Sequence, residues 1–333
     1  MRVLGIDTSC DETSVALVEQ GRILESVVYG QNDLHRPFGG VVPEVAARAH
    51  AERMVPGLDE VLGKGAMPDA VAVTNRPGLV GPLLVGLSSA KSFALVHGLP
   101  LVGVHHLEAH VAAAYLLDPA PEPPFVALIA SGGHTLLYEV PERGRYVRLG
   151  QTTDDAAGEC FDKIAALLGL DYPGGPAIER ASKGGDGAAI DLPRPLRDDP
   201  SDDFSFSGLK TAVLYRIKGH GKKRSDPDAR PYSVADMAAS AQEAIADVLS
   251  FKAVRAARRR RVPRLVLGGG VAANTRLREL ASERGEKAGL EVFIPPRALC
   301  TDNAAMVAMR GSELLEEGIR DDFELDADPY ADD

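Results

Sequence analysis

Val3-Leu4-Gly5-Ile6-Asp7-Thr8-Ser9-Cys10-Asp11-Glu12-Thr13-Ser14-Val15-Ala16-Leu17-Val18-Glu19 reads as a buried strand, a polar turn and a second strand. Gln20-Gly21 turns the chain into a third strand, Arg22 to Tyr29. Helical spacing over Pro43 to Leu62, a strand at Ala70 to Thr74, a small-residue helix at Gly81 to His97 and a strand at Leu99 to Val104 follow. The pattern then restarts. Phe125 to Ala130, Thr135 to Val140 and Tyr146 to Gln151 again read as three strands. Helices follow at Ala156 to Leu168, Phe206 to Ile217 and Ser233 to Ala257, then strand, helix, strand and a last helix at Asp302 to Glu316. A repeated order of elements without repeated residues predicts two related α/β lobes with a ligand cleft.

The proline-rich stretch Asp118 to Pro124 cannot continue a helix and is the expected linker. The expected division is an N-terminal lobe over residues 1–118 and a C-terminal lobe over 119–319. The second lobe carries a helical insertion over about 156–260, and its last helix, 302–317, packs back near the cleft. Residues 320–333 are acidic and aperiodic, and are expected to be solvated or disordered. Gly219 to Arg230 reads as charged and turn-rich.

The 333 residues exceed what one core usually serves. A net charge of -11 makes the whole chain a poor polyanion binder, so nucleic-acid contact needs local basic patches or a partner. Lys218 to Arg224 and Arg258 to Arg261 are such runs, though solvated faces give the same pattern. Cys10, Cys160 and Cys300 are widely spaced and odd in number, which fits a reducing cytoplasm. Asp7 comes too early for a signal peptide, and the longest apolar run, Val80 to Val96, is broken by Gly, Ser and Lys91, so no membrane span is expected.

His106 and His110 stand four apart in a stretch of helix formers, so they share one helix face and can chelate a divalent metal. Glu108 lies between them and points away, so the general base of a zincin is missing. Two histidines alone are also read as a partly buried pair near a helix N-terminus. Asp302 supplies a third ligand, or else it or Thr301 simply caps the last helix. Three glycine-rich turns follow strands: Gly5 to Thr13, Ala130 to Thr135 and Gly268 to Asn274. Such turns bring backbone amides to an anion, and together they suggest a nucleotide whose phosphates lie across the cleft. None is a Walker A loop or a Gly-x-Gly-x-x-Gly fingerprint. Asp162 and Glu179 are candidate ribose acceptors, and equally candidate salt-bridge partners.

Several blocks, taken in order, resemble the TsaD (Gcp/YgjD) family of tRNA adenosine threonylcarbamoyltransferases. They are Gly5 to Thr13, Gly39 to His50, the His106/His110 helix, Ser131 to Thr135, Asp155 to Lys163, Phe204 to Thr211, the Gly268 loop and Cys300 to Met306. The resemblance covers nearly the whole chain. It implies an actin-like ATPase (ASKHA, ribonuclease H-like) fold with two duplicated lobes around a nucleotide cleft. It implies transfer of threonylcarbamoyl from threonylcarbamoyl-AMP to the exocyclic amine of the adenosine 3′ of the anticodon, in tRNAs reading A-starting codons, with release of AMP. By motif match, His106, His110 and Asp302 hold one divalent metal per subunit, Fe2+ by family usage, with zinc or magnesium as alternatives. Ile129, Ala130, Ser131, Gly132, Gly133, Asp162, Gly175, Glu179 and Asn274 hold the adenylate. The implied partners are tRNA, the inactive paralogue TsaB and the P-loop ATPase TsaE, with no membrane. Asp7 stands where Glu is usual, Ala109 where Gly is usual and Glu179 where Asp is frequent, while Arg76 and Pro82 replace small residues. None of these changes removes a proposed ligand.

An adenine exocyclic amine is a poor nucleophile, so the carbamoyl carbonyl must be polarised and a proton removed. Asp11, at the tip of the first turn, is the candidate base or positioner; capping of its own turn is the simpler role. Two rival functions fit the same pattern. A small-molecule kinase of the ASKHA type needs ATP and a sugar-like acceptor but no histidine metal site. A non-enzymatic nucleotide-binding scaffold that presents tRNA would tolerate loss of His106.

Overall fold

The computed structural model describes residues 1–63, 65–218 and 232–330. The charged segment 219–230, with most of the first basic run, lies outside the described residues, as do residues 331–333 of the tail. The chain divides into two compact units, one of residues 1–122, 142–146 and 295–333 and the other of 123–141 and 147–294.

The first part of unit 1 supplies β1 (Arg2–Asp7), β2 (Glu12–Glu19), β3 (Arg22–Gly30), α1 (Asn32–His35), α2 (Pro43–Leu62), β4 (Ala70–Arg76), α3 (Val80–His97), β5 (Leu101–His105) and α4 (His106–Ala112). Unit 2 follows with β6 (Phe125–Ala130), β7 (Thr135–Glu142), β8 (Arg145–Gln151), α5 (Ala157–Leu168), α6 (Gly174–Ala181), α7 (Ser207–Lys218), α8 (Val234–Arg260), β9 (Arg264–Gly268), α9 (Thr275–Lys287) and β10 (Glu291–Phe293). The chain then returns to unit 1 with α10 (Arg297–Cys300) and α11 (Ala304–Glu316).

Both sheets have the same order, β3-β2-β1-β4-β5 and β10-β9-β6-β7-β8, read from opposite ends. The first strand of each pairs antiparallel with the second and parallel with the fourth, with Val3 opposite Val18 and Ala70, and Val126 opposite Glu139 and Leu265. The repeated element order in the sequence is therefore a repeated sheet topology.

Period-two alternation splits the first sheet between two cores. Leu4, Ile6, Val15, Leu17, Val71 and Val73 pack with Met54 and Val61 of α2 and Leu87, Ala90 and Ala94 of α3. Val3, Ala16, Val18, Ala70 and Ala72 pack with Ala304, Ala305, Val307 and Ala308 of α11. α3 has the length and apolar character of a membrane span by composition, contrary to the reading from its broken run. In this fold Leu83, Leu87, Ala90 and Ala94 are buried and Leu84, Leu95 and Val96 are exposed.

The expected placement of the last helix in the second lobe is corrected. α11 covers the sheet of unit 1, because small residues on both sides let backbones meet. A Cβ on Gly5 would overlap the Ala304 carbonyl and lie 2.8 Å from the Ala308 nitrogen, and one on Gly311 would overlap Ala72. The tail, expected to be disordered, is ordered through Tyr330. Asp321 N–H bonds to Leu101 O at 2.9 Å, and its Oδ2 accepts from Gly103 N–H at 2.7 Å. Further on, Asp328 N–H bonds to Asn75 O at 2.9 Å, while Leu325 joins the α2–α3 core. The Asp321 carboxylate thus serves an open amide at the sheet edge rather than only solvent.

Overpacking at such a contact costs about 1–3 kcal/mol, so Gly5→Ala is expected to lower stability by that amount. Chemical denaturation of wild type and variant measures it. An unchanged midpoint would mean that α11 is not seated against β1.

Candidate active site

His105 ends β5 and caps α4, its Nδ1 accepting from Leu107 N–H at 3.3 Å. The next residue, His106, is thereby the first residue of the helix, and His110 follows one turn later on the same face. Their rings meet edge to face with centroids 4.7 Å apart. At the start of α11 the cap is Asn303, whose Oδ1 accepts from Met306 N–H at 3.0 Å. Capping therefore does not occupy Asp302. Its Oδ1 lies 3.1 Å from His110 Nε2 and 3.5 Å from His106 Nε2.

The three side chains form a group whose ligating atoms lie within 4.8 Å of one another. Both imidazoles are buried. The donor set is two neutral-imidazole nitrogens and one carboxylate, which leaves open positions on a bound divalent ion. Two further observations fit a metal. Both Nε2 atoms face the carboxylate, while His106 Nδ1 is held from behind by Ser9 Oγ at 3.2 Å and Asp7 Oδ2 at 3.5 Å. A carboxylate behind a ligating imidazole fixes its ring and raises its basicity. The second observation is that Asp7 Oδ2 is buried with this approach to His106 Nδ1 at 3.5 Å, the place of a carboxylate that backs a ligand rather than of a ligand itself. Asp7 itself is oriented by Ser9 N–H, which donates to its Oδ1 at 3.0 Å. The sequence offers Asp7 no such role beyond membership of the Gly5 to Thr13 stretch. Its place at the end of β1, one register from the turn, was the available signal.

Burial would raise the Asp302 carboxyl, but the adjacent His106 and His110 rings hold it well below the usual carboxylate range. Burial likewise opposes the proton on His106, and Asp302 followed by Asp7 raises this imidazole well above its ordinary value. Glu12 also enters this neighbourhood. Burial, then Asp302 and Asp11, push its carboxyl well above the usual range, and a side-chain hydrogen bond with Asp11 favours the same neutral form. The Cys10 thiol is pushed up by burial and by Asp11, so it is no nucleophile. Asp11 thus lies in unit 1 beside Glu12, on the turn that leads from β1.

The other candidates lie in unit 2, at the end of β6. Ser131 closes the β6–β7 turn, accepting from His134 N–H and donating its own N–H to His134 O at 2.8 Å. Gly132 and Gly133 at the turn are exposed. Ile129 and Ala130 are buried strand residues, and Gly269, at φ +83°, lies against the Ala130 backbone where a Cβ would clash. Asp162 accepts from Gly174 N–H at 2.6 Å, which fixes the start of α6 next to Gly175. Glu179 accepts from Thr275, the first residue of α9, and Asn274 caps that helix through Leu277 N–H at 3.1 Å. Asn274 Nδ2 donates to Gln242 Oε1 at 2.8 Å. These bonds place the Ser131 turn, Asp162 with Gly175, and Glu179 with Asn274 in one unit. They also show that Asp162, Glu179 and Asn274 hold local structure. Of the arginine run on α8, Arg259 pairs with Asp202, and Arg260 with Glu139 at 3.3 Å.

Comparison with known proteins matches the family profile described as TsaD, tRNA N6-adenosine threonylcarbamoyltransferase, over residues 22–309. The chain belongs to the TsaD family. A tRNA N6-adenosine threonylcarbamoyltransferase of Anaeromyxobacter dehalogenans (strain 2CP-1) is 54% identical over 334 residues, covering 98% of each chain. One from Thermotoga neapolitana is 51% identical over 332 residues, covering 99% of each. The chain is accordingly a transferase that modifies tRNA at adenosine N6. Among solved structures, HypF of T. kodakarensis aligns with a TM-score of 0.64 and 15% identity over 95% of this chain and 48% of that one. An activator of 2-hydroxyisocaproyl-CoA dehydratase from Clostridium difficile aligns with a TM-score of 0.55 and 14% identity over 96% and 99%. These neighbours share the actin-like ATPase (ASKHA) fold with the TsaD chain. Family membership removes the small-molecule kinase and the non-enzymatic scaffold as readings.

Because His106 holds its proton more tightly than a free imidazole, a metal must displace it, and binding releases that proton. Affinity for a divalent ion is therefore expected to fall as the pH drops through the raised His106 value and on toward 6.5. In the metal-free chain the His106–Asp302 ion pair has the opposite sign. Its stabilisation is full below the unfolded imidazole value and is lost as pH rises through the folded one. Metal titrations and melts across neutral to alkaline pH measure both slopes; a pH-independent affinity would contradict this protonation scheme.

Proposed function

We propose that the donor is threonylcarbamoyl-AMP, and that the acceptor is the adenosine 3′ of the anticodon in tRNAs reading A-starting codons. The observation that carries this reading is the convergence of His106, His110 and Asp302 in a chain of this family. When bound, a divalent ion there, Fe2+ with zinc or magnesium as alternatives, supplies Lewis acidity toward the donor's oxygens. Ile129, Ala130, Ser131, Gly132, Gly133, Asp162, Gly175, Glu179 and Asn274 bind the adenylate. Their support is the backbone turn at Ser131, the helix start fixed by Asp162 and the Gly269 approach to Ala130. Exposed amides at such turns stabilise the growing charge on the departing AMP. The dehydratase activator of the same fold was solved with bound ADPNP, which is in keeping with a nucleotide on this scaffold.

Asp11 positions the incoming amine or accepts its proton. Glu12, beside it, shares a side-chain hydrogen bond with Asp11, and its carboxyl is pushed well above the usual range by burial and by Asp302 and Asp11. The carbonyl carbon gains the bond to the adenosine nitrogen and loses the bond to the phosphate oxygen of AMP, which leaves as the AMP anion, while the amine gives up a proton. TsaB and TsaE complete the working assembly, and the reaction takes place in the cytoplasm, away from any membrane.

The test combines the chain, its proposed partners, synthetic threonylcarbamoyl-AMP and unmodified tRNA, with nucleosides read by mass spectrometry. Wild type is expected to yield threonylcarbamoyladenosine, while Asp11→Ala loses roughly 100-fold or more, the scale of acid–base catalysis. Full activity of His106→Ala would demote the histidines to structure. Lack of product from wild type, with intact donor, would sink the donor assignment.

A further inference from the structure

Glu108 lies between the two histidines in sequence but turns to the other side of α4. There its Oε2 accepts from Arg310 Nε at 2.8 Å. Arg310 lies on α11, the helix that follows Asp302, and is only 4% exposed. Its Nη1 also reaches Glu313 Oε2 at 3.3 Å, and its guanidinium lies 4.8 Å from the Tyr146 ring centroid. Glu313 in turn accepts from Arg143 Nε and from Tyr146 OH, each at 2.9 Å. Every member belongs to unit 1.

Such a network is a costly way to join two helices. Desolvation of buried ions cancels much of their attraction, and a well-packed apolar contact would stabilise as much or more. What a directional ion pair adds is register. α4 is only 7 residues long, and a small rotation would carry both imidazole nitrogens away from Asp302. Beside the apolar packing of Ala109 against α11, polar side chains tie the helix to the α11 segment on two sides, His106 and His110 with Asp302 and Glu108 with Arg310. Two contacts on different sides of so short a helix fix both its rotation and its position along the axis. Neither Glu108 nor Arg310 faces the ligand group, so neither can serve as a ligand.

We propose that Glu108 and Arg310 are a positioning pair, which holds α4 against α11 so that His106, His110 and Asp302 converge on one ion. The proposal rests on the metal reading of those three residues.

Co2+ is the probe, because its visible absorption reports coordination geometry as well as occupancy. Full-length wild type, His106→Ala, Glu108→Gln, Arg310→Met and the Glu108→Gln/Arg310→Met double variant are titrated with Co2+ below their melting temperatures. Glu108→Gln keeps the shape of the side chain and a hydrogen bond, so it guards against unfolding in the Arg310 variant. Support would be Co2+ binding about 10-fold weaker in Glu108→Gln, the low end for residues that orient ligands, with an altered visible band. The double variant should bind no more weakly than the weaker single one, since both remove the same contact. A lower melting temperature in Glu108→Gln with unchanged affinity and band would overturn the proposal and leave the pair structural. If wild type and His106→Ala alike failed to bind Co2+, the metal reading would fall and the proposal with it.

Discussion

The carboxylate of Asp302, held between two buried imidazoles, is the interaction on which the rest of unit 1 depends. A carboxylate in that position needs cationic or metallic compensation, because burial alone would force it neutral. His106 answers it in kind: the pair shift one another, the imidazole well above its ordinary value and the carboxyl well below. The same geometry prepares a ligand set with Asp7 and Ser9 behind it. Asn303 takes over the cap of α11, and the close approach at Gly5 and Gly311 seats that helix on the first sheet. A helix terminus, two glycines and a strand end therefore converge on the placement of one oxygen atom.

The two units use one topology in different ways. In unit 1 the end of the first strand and the turn after it put Asp7 and Ser9 behind His106, and Glu12 at the start of β2 feels the charge of Asp302. In unit 2 the equivalent turn exposes glycine backbone, and its neighbours Asp162, Glu179 and Asn274 spend hydrogen bonds on fixing helix starts. A site made of side chains suits a cation, and one made of amides suits a phosphate. Duplication of a sheet thus need not duplicate its chemistry.

Much of this was legible before any coordinates. Three strand runs over Val3 to Tyr29, repeated over Phe125 to Gln151, disclosed the paired sheets, and the spacing of His106 and His110 disclosed a shared helix face. The family blocks named Asp302 as the third ligand; spacing alone left it open to capping. What stayed hidden was long-range. That α11 belongs to unit 1 depends on Gly5 meeting Ala304, and no local pattern encodes such a meeting. The tail misled by composition, since its acidic residues look solvated until Asp321 is found on Gly103 N–H. Asp7 reads as a strand end in sequence, and only the packing shows it behind His106.

The return of α11 to the first sheet has a consequence for biosynthesis. Val3, Ala16, Val18, Ala70 and Ala72 present an apolar face that α4 covers only in part, through Ala109, and the rest of the cover, α11, is encoded far downstream. About 200 residues separate β5 from α11, so at usual elongation rates that face waits roughly 10–40 s for its lid. Unit 2, encoded wholly within that interval, can be finished first. The unit whose strands are made first is thus the last to close, and His106, His110 and Asp302 cannot come together until the segment that leads into α11 has been made. During that wait the nascent chain carries the sticky surface that chaperones recognise.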